Sequence, residues 1–256
     1  MISDEEVKRI FQKSLDIPDV VTGMIRLRGQ APAGFQLDRR ISLQIARGIP
    51  SNLWEGAPAA GCIRHMAVFN AFGAIPKYCF ECYKVVIAPR TIVELFKLLI
   101  SYQTLKLPND NTRKCMVETR NYSSGSYKGF VYCRGMEDGN EVYRIVKQAV
   151  SSDISPEISV TLKRGCSEYA QVYPEYAQMD PGKARMEYQK NWQFYEEFVD
   201  ENFIFEKLDN SDDRHETGFS MRELFAMQFW LRYAATIGDT SYLTLTGGKF
   251  LEPIPK

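Results

Sequence analysis

The sequence has no excess of charge of either sign. Its 32 lysines and arginines balance 32 aspartates and glutamates, so no global field draws it toward nucleic acid, an anionic membrane or an acidic substrate. Any basic site must therefore be local. Long apolar runs are also missing, and no uninterrupted stretch approaches the ~20 residues that cross a bilayer. The opening, MISDEEVKRI, is acidic where a secretory leader is basic and then apolar. The expectation is a cytoplasmic protein with no membrane partner. No G-x-S-x-G, P-loop, H-E-x-x-H or well-placed G-x-G-x-x-G occurs, which leaves hydrolase, nucleotide and nicotinamide functions without motif support. No repeat of about 20–50 residues is visible, so solenoids and propellers are excluded. Histidine is scarce, with only His65 and His215. The carboxylate runs DEE, EE and DD read as helix faces and loops rather than as a general acid–base pair.

What is present is a chain of 256 residues, 45% hydrophobic, enough for a sizeable core in one or two domains. Three regions emerge. Residues 1–76 begin with Ser3 and Glu6 in capping-box spacing, which predicts an amphipathic helix ending near Ile17 and Pro18. The Gly-, Pro- and Ala-rich stretch that follows, 29–76, predicts an irregular wrapping segment. Residues 169–256 form a helical C-terminal region, with an aromatic-rich stretch over 184–202, a polar loop around NSDDRHETG that leaves His215 solvated, and Ser220 and Glu223 capping an apolar helix that Gly238 ends.

Residues 77–168 carry the clearest pattern. YKVVIA (83–88) is rich in β-formers. Thr91 and Glu94 then cap a helix with Ile92, Leu95, Phe96, Leu99 and Tyr102 on one face. RKCMVETR (113–120) and YKGFVYC (127–133), joined by NYSSGS, predict a hairpin. A second helix places Val142, Ile145, Val146 and Ala149 at helical spacing, and EISVTLK alternates as a final strand. The order β-α-β-β-α-β predicts an α+β protein with a ferredoxin-like unit whose antiparallel sheet has the strand order 4-1-3-2.

That topology decides where cysteine goes. Six cysteines in a reducing compartment are more naturally thiols or metal ligands than disulfides. Cys79 and Cys82 open strand one, Cys115 lies near the start of strand two, Cys133 ends strand three and Cys166 follows strand four, all at one end of the sheet. Neighbouring strands lie about 4.8 Å apart, so strand one's neighbours can bring Cys133 and Cys166 to Cys82, while Cys115 stays roughly 10 Å away. The expected ligand set is Cys79, Cys82, Cys133 and Cys166. A thiolate quartet suits an iron–sulfur cluster or zinc, and the aromatic flanks of KYCFECYK favour the cluster by shielding it from water. Arg134, Lys163 and Arg164 adjoin these positions and can offset thiolate charge or hold an anionic substrate. The expected function is electron transfer or reductive chemistry on a small substrate, with an electron-transfer protein or that substrate as partner. Structural zinc is the alternative. Two plainer readings stand beside these: Cys115 and Cys133 as small buried hydrophobes, and Cys79 with Cys82 as an exchangeable dithiol. Cys62 and His65, spaced C-x-x-H, read either as an added ligand or proton-transfer pair or as successive turns of a packed helix.

The run KGFVY (128–132) resembles part of the strand-three signature of the RNA recognition motif family, which has the same element order. The resemblance spans about 80 residues and implies a stacking platform of Phe130 and Tyr132 on the open sheet face, with Lys84 beside it. The family's small residue between the aromatics is replaced, and the first strand lacks its glycine-containing pattern. With zero net charge, RNA binding on that face is an alternative function and nucleic acid is not the expected partner. The aromatics are instead expected to be covered from outside the unit.

Overall fold

The computed structural model describes residues 3, 42–45, 62–119, 123–180, 182–202 and 221–251. The helix expected after Ser3, most of the wrapping segment, and the polar loop with His215 lie outside the described residues.

Among the described residues, five strands form one sheet: β1 (Ser42–Ile45), β2 (Cys82–Ala88), β3 (Arg113–Val117), β4 (Tyr127–Arg134) and β5 (Ser159–Arg164). Their order is β1-β3-β4-β2-β5, and every neighbouring pair is antiparallel. Without β1, this is the expected order 4-1-3-2, with the expected β-α-β-β-α-β succession and strand limits within three residues of the sequence reading. The addition is β1, which lies along the edge of β3 with Ser42 opposite Met116. Its four residues, SLQI, are flanked by turn-rich sequence that hides so short a strand.

The helices in chain order are α1 (Cys62–Phe72), α2 (Ile92–Thr104), α3 (Gly135–Asp153), α4 (Ser167–Val172), α5 (Trp192–Asn202), α6 (Met221–Ile237) and α7 (Tyr242–Leu245). The start of α2 follows the predicted chemistry: Thr91 Oγ1 accepts from the Glu94 backbone N–H at 3.2 Å, satisfying one of the donors a helix leaves open at its first turn. Ile92, Leu95, Phe96, Leu99 and Tyr102 are all buried. They meet Val85, Ile87 and Val131 from the sheet and Val142 and Val146 from α3.

The same core takes Ala226, Met227, Trp230, Leu231 and Ala234 from α6, and the ring of Trp230 stacks on Phe96 at 5.8 Å between centroids. Asp239, just after α6, accepts hydrogen bonds from the Ile92 backbone N–H and from Tyr127 Oη, both at 2.6 Å. One carboxylate thus ties the chain beyond α6 to both the first turn of α2 and strand β4. A second core lies at the cysteine end, built from Val68, Phe69, Ile75, Phe80, Tyr169, Tyr176, Trp192 and Val199. Since Trp230 is fully buried, Trp230→Ala is expected to lower the unfolding free energy by about 3–5 kcal/mol, read by urea denaturation; a loss below about 1 kcal/mol would show that α6 is not integral to this core.

Candidate functional site

The cysteine end is assembled by two turns of chain. A short 3₁₀ helix, Lys77–Glu81, leads into β2, and the Cys82 N–H closes it by donating to the Cys79 carbonyl. This is the local structure of the C-x-x-C motif. At the far side of β2, Gly165 follows β5 with φ of +48° and donates its N–H to the Cys82 carbonyl at 2.8 Å. That left-handed conformation suits glycine, and a Cβ here would run into the Tyr176 side chain. The turn carries Cys166 to where its Sγ accepts a hydrogen bond from Lys84 Nζ at 3.1 Å.

Tyr176 sits in the middle of this arrangement. Its Oη donates to the Cys79 carbonyl at 2.6 Å. Burial, and after it the nearby Cys79, Cys82 and Cys166, push its phenol well above the usual range. Three of the four expected ligands therefore lie near one phenol. Cys79 is buried, sharing a hydrogen bond with Tyr169 Oη at 3.4 Å, whereas Cys82 and Cys166 are half-buried.

Cys133 is placed elsewhere. Cys82 pairs with Arg134, and Cys133 with Tyr83. Side chains alternate across a strand, so Cys133 points to the helix-covered face with Tyr83 and Val85, opposite to Cys82 and Lys84. It belongs to the main core with Cys115. Burial pushes both thiols up, which suits the reading of these two as small buried hydrophobes. Among the described residues, no group of three or more Cys, His, Asp or Glu side chains is gathered tightly enough to hold a metal ion.

The three basic candidates separate in the same way. Arg134 is exposed, and its backbone N–H donates to Asp138. Arg164 is buried and acts as a clamp: Nε donates to the Phe80 carbonyl at 3.1 Å, one terminal nitrogen to the Met186 carbonyl at 3.2 Å, and the guanidinium lies 5.2 Å from both the Phe80 and Tyr176 rings. On the face of Cys82, which its cross-strand partner Arg134 shares, lies Lys163. It is directly opposite Lys84 in the β2–β5 ladder, and its Nζ donates to Ser167 Oγ at 2.8 Å. Burial first, and then the charge of Lys84, lower its pKa to about 8.

Lys84, Tyr169 and Tyr176 were not among the expected ligands, though the alternation in YKVV and TLKR puts Lys84 and Lys163 on one face once the register is known. Lys84 is 7% exposed, and its Nζ lies 5.3 Å from the centroid of the Tyr132 ring. Phe130 is buried and Tyr132 half-buried, so the aromatic pair is not an open stacking platform.

Cys62 opens α1, and its side chain falls outside the described residues. His65 is buried and stacks on Tyr78 at 5.3 Å, and among the described residues its Nε2 has no hydrogen-bond partner. The adjacent Arg64 is held by Asp200 and Glu196, which include a 2.6 Å ion pair to Asp200.

No family model matches the chain, and neither the curated proteins nor the solved structures searched give a match. No helix among the described residues is long and apolar enough to cross a membrane.

Burial, followed by the charge of Arg64, lowers His65 from its ordinary 6.5 to about 4. Below pH 6.5 the unfolded chain binds a proton that the folded protein refuses, so stability is complete above that pH and declines as the pH falls toward 4. The loss is roughly 3 kcal/mol across that window. Unfolding free energies measured from pH 7 to 4 should show this slope in the native protein and a flatter one in His65→Gln; equal slopes would remove His65 as the cause.

Proposed function

We propose that the protein works through cysteine sulfur at this end of its sheet. In this reading Cys79, Cys82 and Cys166 are thiolate donors to an iron–sulfur cluster, or in second place to zinc. The use is electron transfer or reductive chemistry on a small substrate.

The observation that supports it most is the position of these thiols: they come from two turns of chain, one before β2 and one after β5, and lie near one buried phenol, Tyr176. Soft sulfur donors suit both metals. Lys84, bonded to Cys166, brings a positive charge that offsets thiolate charge, and Lys163 adds a second one beside it. Phe80, Tyr169 and Tyr176 wall the Cys79 side and exclude water from it.

The proposed donor set is three rather than the four expected, because Cys133 points to the other face. When bound, an iron–sulfur cluster supplies single electrons at a potential set by its charge, the hydrogen bonds to its sulfurs and its exposure. Of those controls, this chain contributes the hydrogen bond from Lys84 to Cys166 and the aromatic wall. Three protein donors leave one coordination position for a substrate or solvent molecule.

Anaerobic purification followed by iron, zinc and sulfide analysis tests the proposal. Metal is expected in the native protein, in Cys115→Ala and in Cys133→Ala, with loss of most of it in Cys82→Ala and Cys166→Ala while circular dichroism stays native. Metal content that is absent from the native protein, or unchanged in both of the latter variants, overturns it.

A further inference from the structure

We infer that Lys84 and Lys163 form a binding site for a small dianion, of the phosphate or dicarboxylate class, on the sheet face beside Cys166. The two lysines are direct cross-strand partners of β2 and β5. Like charges placed opposite each other on a sheet are destabilising, and withdrawing them from water adds to that cost. Both conditions hold here, since Lys84 is 7% exposed and Lys163 is half-buried.

The protein's own acids do not resolve this repulsion at Lys163. Among the described residues it has no carboxylate within ion-pair distance; its one hydrogen bond is to Ser167 Oγ, and Glu168 acts on it only through its field. Burial first, and then the charge of Lys84, hold the pKa of Lys163 at about 8. Of the other lysines on this face, Lys128 is engaged differently, by Glu118 at 3.2 Å.

The surroundings allow an anion to reach the pair. β5 is the outer strand of the sheet, and Thr161, two residues from Lys163 on the same face, is exposed, as is Ser167. A ligand entering from this edge meets two ammonium groups and two hydroxyls. Lys84 is held against the Tyr132 ring and Cys166, so one of the cations is already positioned. Two fixed positive charges match a dianion better than a halide or a monocarboxylate, because each can make a charge-assisted hydrogen bond to it. This site stands on the lysines alone, with or without metal at the cysteines.

Isothermal titration of the full chain with inorganic phosphate, and separately with malonate, at constant ionic strength tests the inference. Saturable binding of at least one is expected, with chloride and acetate giving none. Lys163→Met should weaken it at least about tenfold, Lys163→Arg should retain it, and the exposed Lys190→Met should leave it unchanged. Lys163 is the variant of choice because it is only half-buried. Repeating the titration after chelator treatment separates this site from the thiolate proposal: binding that persists belongs to the lysines, whereas binding that disappears with the metal overturns the inference. So does an absence of saturable binding up to about 20 mM of either probe, or binding that is equal in Lys163→Met.

Discussion

The period-two alternation of side chains along a strand is the constraint on which the cysteine end depends. β2 and β4 are neighbours, and Cys82 and Cys133 lie one position apart in their ladder. That single offset sends one sulfur to the face with Lys84 and Lys163 and the other into the core beneath α2 and α3. Closeness of backbone is therefore not closeness of chemistry. Gly165 makes the complementary move: by leaving the strand in a left-handed conformation, it brings Cys166 back to the Lys84 side, which a regular continuation of β5 would not do.

Around that division the two cores have different characters. The main one is aliphatic and aromatic, closed by α6 and latched by Asp239, and it buries Cys115 and Cys133 as ordinary apolar groups. The second is tyrosine-rich and polar at its centre, with Tyr169 and Tyr176 hydrogen-bonded to Cys79 and Arg164 clamping three carbonyls across it. Buried polar groups of this kind are costly unless fully paired. Here the pairing fixes the C-x-x-C turn against the end of β5, which is what holds Cys79, Cys82 and Cys166 in one neighbourhood.

Much of this architecture was legible in the residues. Capping-box spacing at Thr91 and Glu94, alternation in the strands, and the turn chemistry between β3 and β4 each act locally, so the element order and sheet order followed from them. β1 was not legible, because four residues carry too little pattern. At the site, counting strands placed Cys79, Cys82, Cys133 and Cys166 correctly at one end of the sheet but not Cys115, which the register sets opposite Gly129 and so level with Ile87 at the other end. The face could not be assigned by counting, because it depends on register, and a one-residue shift reverses every side chain. For the same reason Arg164 reads as a site cation in sequence and proves to be a clamp between two turns, while the pairing of Lys84 with Lys163 emerges only when the ladder is known. Tyr176 carries no motif at all; its role comes from a loop returning after β5.

The central claim is that Cys79, Cys82 and Cys166 act as one sulfur centre from which Cys133 is separated by the sheet. Mass-spectrometric mapping of iodoacetamide alkylation in the folded, anaerobically purified protein, before and after chelation, tests it most directly. The account predicts that chelation accelerates labelling of Cys82 and Cys166 together, by about tenfold or more, while Cys115 and Cys133 stay unmodified throughout. Unmasking of Cys133 along with Cys82, or labelling of Cys82 and Cys166 that chelation leaves unchanged, would contradict it.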